Sequence, residues 1–437
     1  MVDSPETRTR RHRIHPAWWV AAVAFIALLA AAGFRAAPGA LMVPLHEDLG
    51  WSTSVMSLAV SINLLLYGLT APFAAALMDR LGVRQVVAAA LVLVALGAGG
   101  SILMTASWQL LIFWGVLIGL GTGSMALVFA ATIANRWFVR RNGLVMGILT
   151  AGSATGQLIF LPPVAAIAES SGWRPASLLI AAAALAAVPI VWFVLRDHPE
   201  DRGVLPYGAD PATHVAPRRA ADGAAKRALE GLAFASKHRS FWALAAAFAI
   251  CGATTNGLIG IHFIPSAHDH GMPTTTAAGL LAAVGVFDIV GTIASGWLTD
   301  KFDPRTLLVT YYAFRGAGLA LLPWLLSDTV HPSMVLFIVI YGLDWVATVP
   351  PTAKLCREIF GDRGTIVFGW VFASHQVGAA LAALAAGLIR DQLGTYTYAW
   401  WGGAALCAIA AVLSIAVRRR LAPGVDVPHS PAPEPVS

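Results

Sequence analysis

Residues 79–84 read Asp-Arg-Leu-Gly-Val-Arg, and residues 300–305 read Asp-Lys-Phe-Asp-Pro-Arg. The two stretches share one pattern: acidic, basic, three residues, arginine. Each follows the second of six long apolar blocks, so the chain contains an internal repeat whose copies occupy equivalent turns. A carboxylate at the end of one helix, with cations in the short turn beyond it, is expected to pair with the arginine and cap the next helix start. Asp79, Arg80, Arg84, Asp300, Lys301 and Arg305 are therefore the expected conformational gating residues. Such a clamp stabilises one packing of neighbouring helices and loosens in another.

The apolar blocks around these turns have the length, about 20 residues, that a helix needs to cross a hydrocarbon core ~30 Å thick. They are expected near residues 17–43, 54–77, 85–104, 109–134, 144–167, 174–195, 241–264, 275–298, 306–326, 334–353, 365–389 and 397–417. They lack period-2 alternation and are twice the length of a barrel strand, so helices are the spanning element. Ala, Leu and Gly dominate them, as close helix packing in lipid favours. Only 12% of the 437 residues are charged against 57% hydrophobic, too few charges to make a water-soluble surface.

The fold class is therefore an all-α membrane protein, with twelve transmembrane helices in two six-helix bundles related by pseudo-two-fold symmetry. The expected divisions are a tail at 1–16, a bundle at 17–195, a polar linker at 196–240, a second bundle at 241–417 and a tail at 418–437. Within the linker, residues 224–238 suit a short surface helix with Leu229, Leu232 and Phe234 on one side. The Arg-rich N-terminus runs into a stretch too long for a signal-peptide core and shows no small-residue cleavage site, so it is read as retained.

Basic residues set the orientation. Of 29 Lys and Arg, 25 fall on the side of the N-terminus and linker, and Arg174 and Arg390 fall on the other. Arg35 and Arg315 lie within spans. By the positive-inside rule both termini are cytoplasmic, in a cell membrane, the bacterial inner membrane being the expected one. The net charge of +6 follows from this bias, so nucleic acid is not an expected partner. Cys251, Cys356 and Cys407 are scattered with no CxxC or His pairing and read as packing residues, so no metal site is expected.

Ala75 and Gly296 stand four residues before the two aspartates. With them, the turns resemble the signature turn of the major facilitator superfamily: Gly, three residues, Asp, a basic residue, one residue, Gly, then further basic residues. The first copy departs by Ala75, which still allows close helix approach. The resemblance spans residues 17–420 and implies the major facilitator fold. Trp137-Phe138-Val139-Arg140-Arg141-Asn142-Gly143, followed by Gly147, Gly152 and Gly156, and Gly172-Trp173-Arg174 before the sixth span, resemble the oxalate/formate antiporter and monocarboxylate transporter group. Proton-coupled drug exporters are a poorer match, because Gly115 and Leu117 stand near their expected arginine and the fifth span has no Gly-Pro.

Four charges lie well inside spans: Arg35, Arg315, Asp288 and Asp344. Each would cost at least ~2.5–3.5 kcal/mol facing lipid near mid-membrane, so each is expected to face the bundle interior. Arg35 sits among Gly33, Ala36 and Ala37, where a planar fork of donors suits a carboxylate. Asp288 is the expected proton-coupling group, and Arg315 with Asp344 a possible structural ion pair. Animal monocarboxylate transporters carry cations where this chain has Gly39 and Thr292; Arg35, one turn before Gly39, offers a replacement from the same face. Alignment on the signature aspartates matches Arg35 with Asn256 and Asp288 with Tyr67. With Asn63, one turn before Tyr67, and with His375 and Gln376, these are the expected substrate-binding residues near the midplane. Trp345 and Trp370 are candidate cavity walls.

These readings predict a secondary active transporter of a small organic anion, a monocarboxylate, using proton symport or anion exchange and working as a monomer. The alternatives are a carrier of a neutral or larger compound, such as a vitamin or drug exporter, and a non-transporting membrane sensor. With no nucleotide-phosphate loop and no HExxH or nucleophile motif, neither an enzyme nor a cofactor is expected.

Overall fold

The computed structural model describes residues 15–125, 127–210 and 224–417. The expected C-terminal tail, most of the N-terminal tail and residues 211–223 of the linker lie outside the described residues. The helices follow in order: Pro16–Leu49, Thr53–Leu81, Val83–Ser101, Ser107–Trp137, Asn142–Ser171, Trp173–Val194, Arg239–Asp269, Thr274–Lys301, Pro304–Leu325, Pro332–Phe360, Gly364–Leu393 and Thr397–Ala416. They are called spans 1 to 12 below. A linker helix, Ala224–Ala235, lies between spans 6 and 7. Eleven of the spans are long and apolar enough to cross a membrane. Span 9, at 22 residues, is long enough, but Arg305, Tyr311, Tyr312 and Arg315 make it more polar.

The helices outrun the apolar blocks that announced them. Span 1 continues to Leu49 through Pro38 and Pro44 and stops at Gly50, which takes the left-handed conformation at φ 66°. Beyond the hydrocarbon core a helix no longer needs apolar residues, so hydropathy underestimates its length.

The packing is that of a protein dissolved in lipid. Large apolar side chains point outward, among them Phe193 at 71% and Ile293 at 70% exposure, while polar and charged groups are buried among the helices. Tryptophans mark the span ends: Trp324 and Trp401 lie 5.9 Å apart with their rings tilted at one face, and Lys301 lies over Trp297 at the other. Span 2 packs along span 11, span 5 along span 8 and span 1 against span 7, so each half contributes to the seam between them. At the seam Gly39 lies against the backbone of Ile261, and Gly68 lies against Gln376.

Three spans depart from regular α-helix. Spans 4 and 7 widen into π-type turns at Leu111–Leu117 and Ala253–Ile259. Span 10 is α-helical to Asp344 and resumes at Val349, where Pro350 and Pro351 restart the helix. Irregular backbone at membrane depth persists only where protein satisfies its polar groups, so each of these segments needs partners.

Candidate functional site: a midplane cation and two clamps

Arg35 of span 1 donates from Nη1 to the Tyr67 hydroxyl of span 2 at 3.2 Å, and its guanidinium carbon lies 4.6 Å from the centre of the Tyr67 ring. Tyr67 packs with Ala71 and with Phe372 of span 11. Phe372 stacks parallel to His375 at 5.7 Å, and Phe248 of span 7 closes on His375 at 5.0 Å. The expected Arg35, Tyr67, His375 and Gln376 thus come together where spans 1, 2, 7 and 11 meet. His375 Nδ1 and both amide atoms of Gln376 are buried and have no hydrogen-bond partner among the described residues. Such groups are costly to leave bare, about 1–3 kcal/mol each.

Asn63 is used differently. Its amide donates to the Trp114 carbonyl at 2.8 Å, inside the π-type turn of span 4, whose wider register leaves that oxygen in need of a donor. Asn256 lies half-buried in the corresponding kind of turn in span 7.

The other three intramembrane charges gather at the break in span 10. Asp288 accepts from the Val346 backbone N–H at 3.1 Å and from the Thr292 hydroxyl at 3.0 Å. Arg315 donates from Nε to Asp344 Oδ2 at 2.6 Å and from Nη2 to the Asp344 carbonyl at 2.7 Å. Its Nη1 donates to Cys251 Sγ at 2.9 Å, and Cys251 also shares a hydrogen bond with Thr348 at 3.1 Å. Ser295 donates to the Ala347 carbonyl at 2.5 Å. Spans 8 and 9 therefore satisfy backbone groups that the interrupted helix exposes, and span 7 holds the Thr348 hydroxyl and the Arg315 guanidinium through Cys251. Arg315 and Asp344 form a buried pair, and Asp288 grips the same break from the other side. Cys251 is a working part of the clamp rather than packing alone.

The signature turns correct one expectation. Asp79 pairs with Arg136 of span 4 at 2.5 Å, not with Arg84. The cap of span 3 comes from the linker, where Asp197 accepts from the Arg84 backbone N–H at 3.0 Å, while the Arg84 guanidinium lies over Trp192 at 4.9 Å. The reason is the turn itself: Gly82 at φ 94° aims the chain so that Asp197 fills the space beside it. In the second copy, Asp303 caps the Arg305 N–H at 2.9 Å and pairs with its guanidinium at 2.8 Å. Lys301 sits on Trp297, and Lys354 donates to the Thr299 carbonyl at 2.6 Å. A Gly82→Ala substitution combines a strained φ with a Cβ about 2.5 Å from Asp197 Oδ2. It is expected to lower the thermal midpoint of the purified protein, at a cost larger than the ~0.4–1 kcal/mol that an unstrained glycine-to-alanine exchange gains.

One further expectation, for the linker helix, is revised. Trp370 donates to the Ala228 carbonyl at 2.8 Å and so tethers the linker helix, and Trp345 lies at the span 10 break against Tyr341. Leu229 is half exposed rather than sharing the buried side of the linker helix, while Phe234 packs with His238 and Phe360.

A two-bundle helical protein with a cation and bare polar groups at mid-depth belongs to the class of membrane solute carriers. Residues 23–367 match the model of the Major Facilitator Superfamily, and the chain belongs to that family. It is 26% identical over 399 residues to an uncharacterized MFS-type transporter, YcxA, of Bacillus subtilis, covering 87% of this chain and 90% of that one. It is 28% identical over 396 residues to monocarboxylate transporter 13 of Rattus norvegicus, covering 88% and 86%. Against monocarboxylate transporter 11 of Mus musculus the identity is 28% over 396 residues, covering 87% and 82%. Among solved structures, a D-xylose–proton symporter superposes with TM-score 0.69 at 14% identity, over 91% of this chain and 97% of that one. A bacterial homologue of the human lysosomal transporter Spinster superposes with TM-score 0.68 at 16% identity, over 92% and 95%.

Proposed function

We propose that the chain is a secondary active transporter of a small organic anion, a monocarboxylate, working by alternating access with proton symport or anion exchange. The observation that carries this reading is Arg35, a mid-span guanidinium steadied by Tyr67 beside the bare Nδ1 of His375 and the bare amide of Gln376. A carboxylate matches the fork of Arg35, and a bound anion with further oxygen atoms would satisfy the neighbouring donors. The relatives named monocarboxylate transporters support the same cargo class. The positive-inside count supports cytoplasmic termini; the protein is proposed to sit in a cell membrane and to act as a monomer.

Asp288 is the coupling carboxylate in this reading. Ionised, it accepts from Val346 and Thr292 and so holds the span 10 break; protonated, it is a weaker acceptor and the break loosens. Proton occupancy thereby becomes helix shape. The signature turns, with Asp79, Arg80 and Arg84 in one copy and Asp300, Lys301 and Arg305 in the other, gate the linker face. Asp288→Asn in proteoliposomes is expected to lose uptake driven by an inward proton gradient while retaining exchange of labelled for unlabelled anion. Gradient-driven uptake at the unsubstituted level would remove Asp288 from the coupling step.

A further inference from the structure

The face of the protein away from the linker is held shut by two hydrogen-bonded caps that cross between the halves. Asp391, near the end of span 11, accepts from the backbone N–H groups of Thr53 at 3.1 Å and Ser54 at 2.7 Å, the first two residues of span 2. Glu169, near the end of span 5, accepts from the Thr274 hydroxyl at 3.1 Å and the Thr275 N–H at 3.3 Å, the first two residues of span 8. The offset that carries Asp79 onto Asp300 also carries Thr53 onto Thr274 and Ser54 onto Thr275, and it carries Glu169 onto Arg390, the neighbour of Asp391. The two caps are thus one device repeated by the internal symmetry. Each places a carboxylate of one half on the N-terminal end of a helix of the other, where unsatisfied N–H groups and the helix dipole favour negative charge.

Other ion pairs on this face stay within a half. Asp48 binds Trp173 and Arg174, and Asp269 binds Arg390. These brace each bundle without joining the two. Below the caps the seam is tightly packed: Gly387 of span 11 lies against Ser57 of span 2, and Ser61 donates to the Ala380 carbonyl at 2.7 Å.

We infer that Glu169 and Asp391 are positioning residues for alternating access, a symmetric pair of latches that must both release before the face away from the linker opens. The inference is independent of the cargo. Opening exposes four helix N-terminal groups to water, which can satisfy them, so the latches bias the equilibrium without making the closed state permanent.

The test uses a cysteine at Ser57, which is fully buried below the Asp391 cap. Purified Ser57→Cys protein in lipid nanodiscs is treated with a membrane-impermeant maleimide, and labelling of the unsubstituted protein, whose three cysteines are buried, is subtracted. Adding Glu169→Ala and Asp391→Ala together is expected to raise the labelling rate about tenfold or more, with each single change giving part of that effect. Asp391→Asn, which keeps a capping oxygen, is expected to restore most of the slow rate lost in Asp391→Ala. Asp48→Ala, which breaks a pair within one half, is expected to leave labelling unchanged. Equal labelling of the double variant and its parent, with both monodisperse on size exclusion, overturns the inference. So does an equal rise in Asp48→Ala, which would mean general loosening. If the double variant does not yield folded protein, the two single variants and the asparagine rescue decide the matter alone.

Discussion

Replacing Arg35 by alanine is expected to cut transport of the anion about a hundredfold while leaving insertion and yield unchanged. Arg35 is only half-buried, so the fold is not expected to depend on it. The cargo does. A carboxylate left without its cation in a poorly hydrated site loses charge-assisted hydrogen bonds and its main source of compensation, and kcat/KM is expected to fall about a hundredfold, equivalent to roughly 3 kcal/mol. Arg35→Lys keeps the charge but loses the planar fork, so it is expected to transport with a raised KM. Tyr67→Phe removes the hydroxyl and keeps the ring, so its effect should be smaller than either. Initial rates of labelled anion entry into proteoliposomes, at matched protein density, separate the three.

The second large effect is on stability. Arg315→Ala leaves the Asp344 carboxylate buried without a cation, takes one donor from each of two carbonyls of the span 10 break, and removes the donor from Cys251. Breaking a buried pair on one side costs about 3–5 kcal/mol. The expected result is a large fall in the thermal midpoint seen by fluorescence-detected size exclusion, or no monodisperse protein at all. Asp344→Asn, which removes the charge but keeps an acceptor for Arg315, should be milder. A normal midpoint for Arg315→Ala would show that the break is held by Asp288 and Ser295 alone.

The contrast between these variants shows where sequence reading reaches and where it stops. Span positions were legible because lipid imposes a length and a composition that no soluble helix shares. The repeat was legible because Asp79 and Asp300 stand in copies of one short pattern. Opposite charges confined to neighbouring apolar spans announced Arg315 with Asp344, since neither could face lipid.

Partners drawn from far along the chain left no such mark. Arg136 for Asp79, and Asp197 for the start of span 3, are chosen by how helices lean on one another, and Gly82 alone hinted that something approaches that turn closely. The break in span 10 was not legible either: Val349-Pro350-Pro351 restarts the helix there, yet the similar pair Pro162-Pro163 lies inside the continuous helix of span 5. Ser295, which satisfies a carbonyl of that break, and Cys251, which holds its Thr348 hydroxyl, look like ordinary small residues of a membrane helix. Asn63 stands one helical turn before Tyr67, and that spacing carries no sign that its amide is needed by the π-type turn of span 4. The latches were readable only in part, as acidic residues at the ends of spans 5 and 11; the helix ends they cap belong to the other half.

The most direct measurement of the central claim is uptake of a panel of radiolabelled monocarboxylates into proteoliposomes under an imposed proton gradient, beside a neutral sugar and a lipophilic cation as comparison solutes. The account predicts saturable uptake of at least one anion, competed by unlabelled carboxylates and cut about a hundredfold in Arg35→Ala. Saturable uptake confined to the uncharged or cationic solute, or anion uptake undiminished in Arg35→Ala, would contradict it.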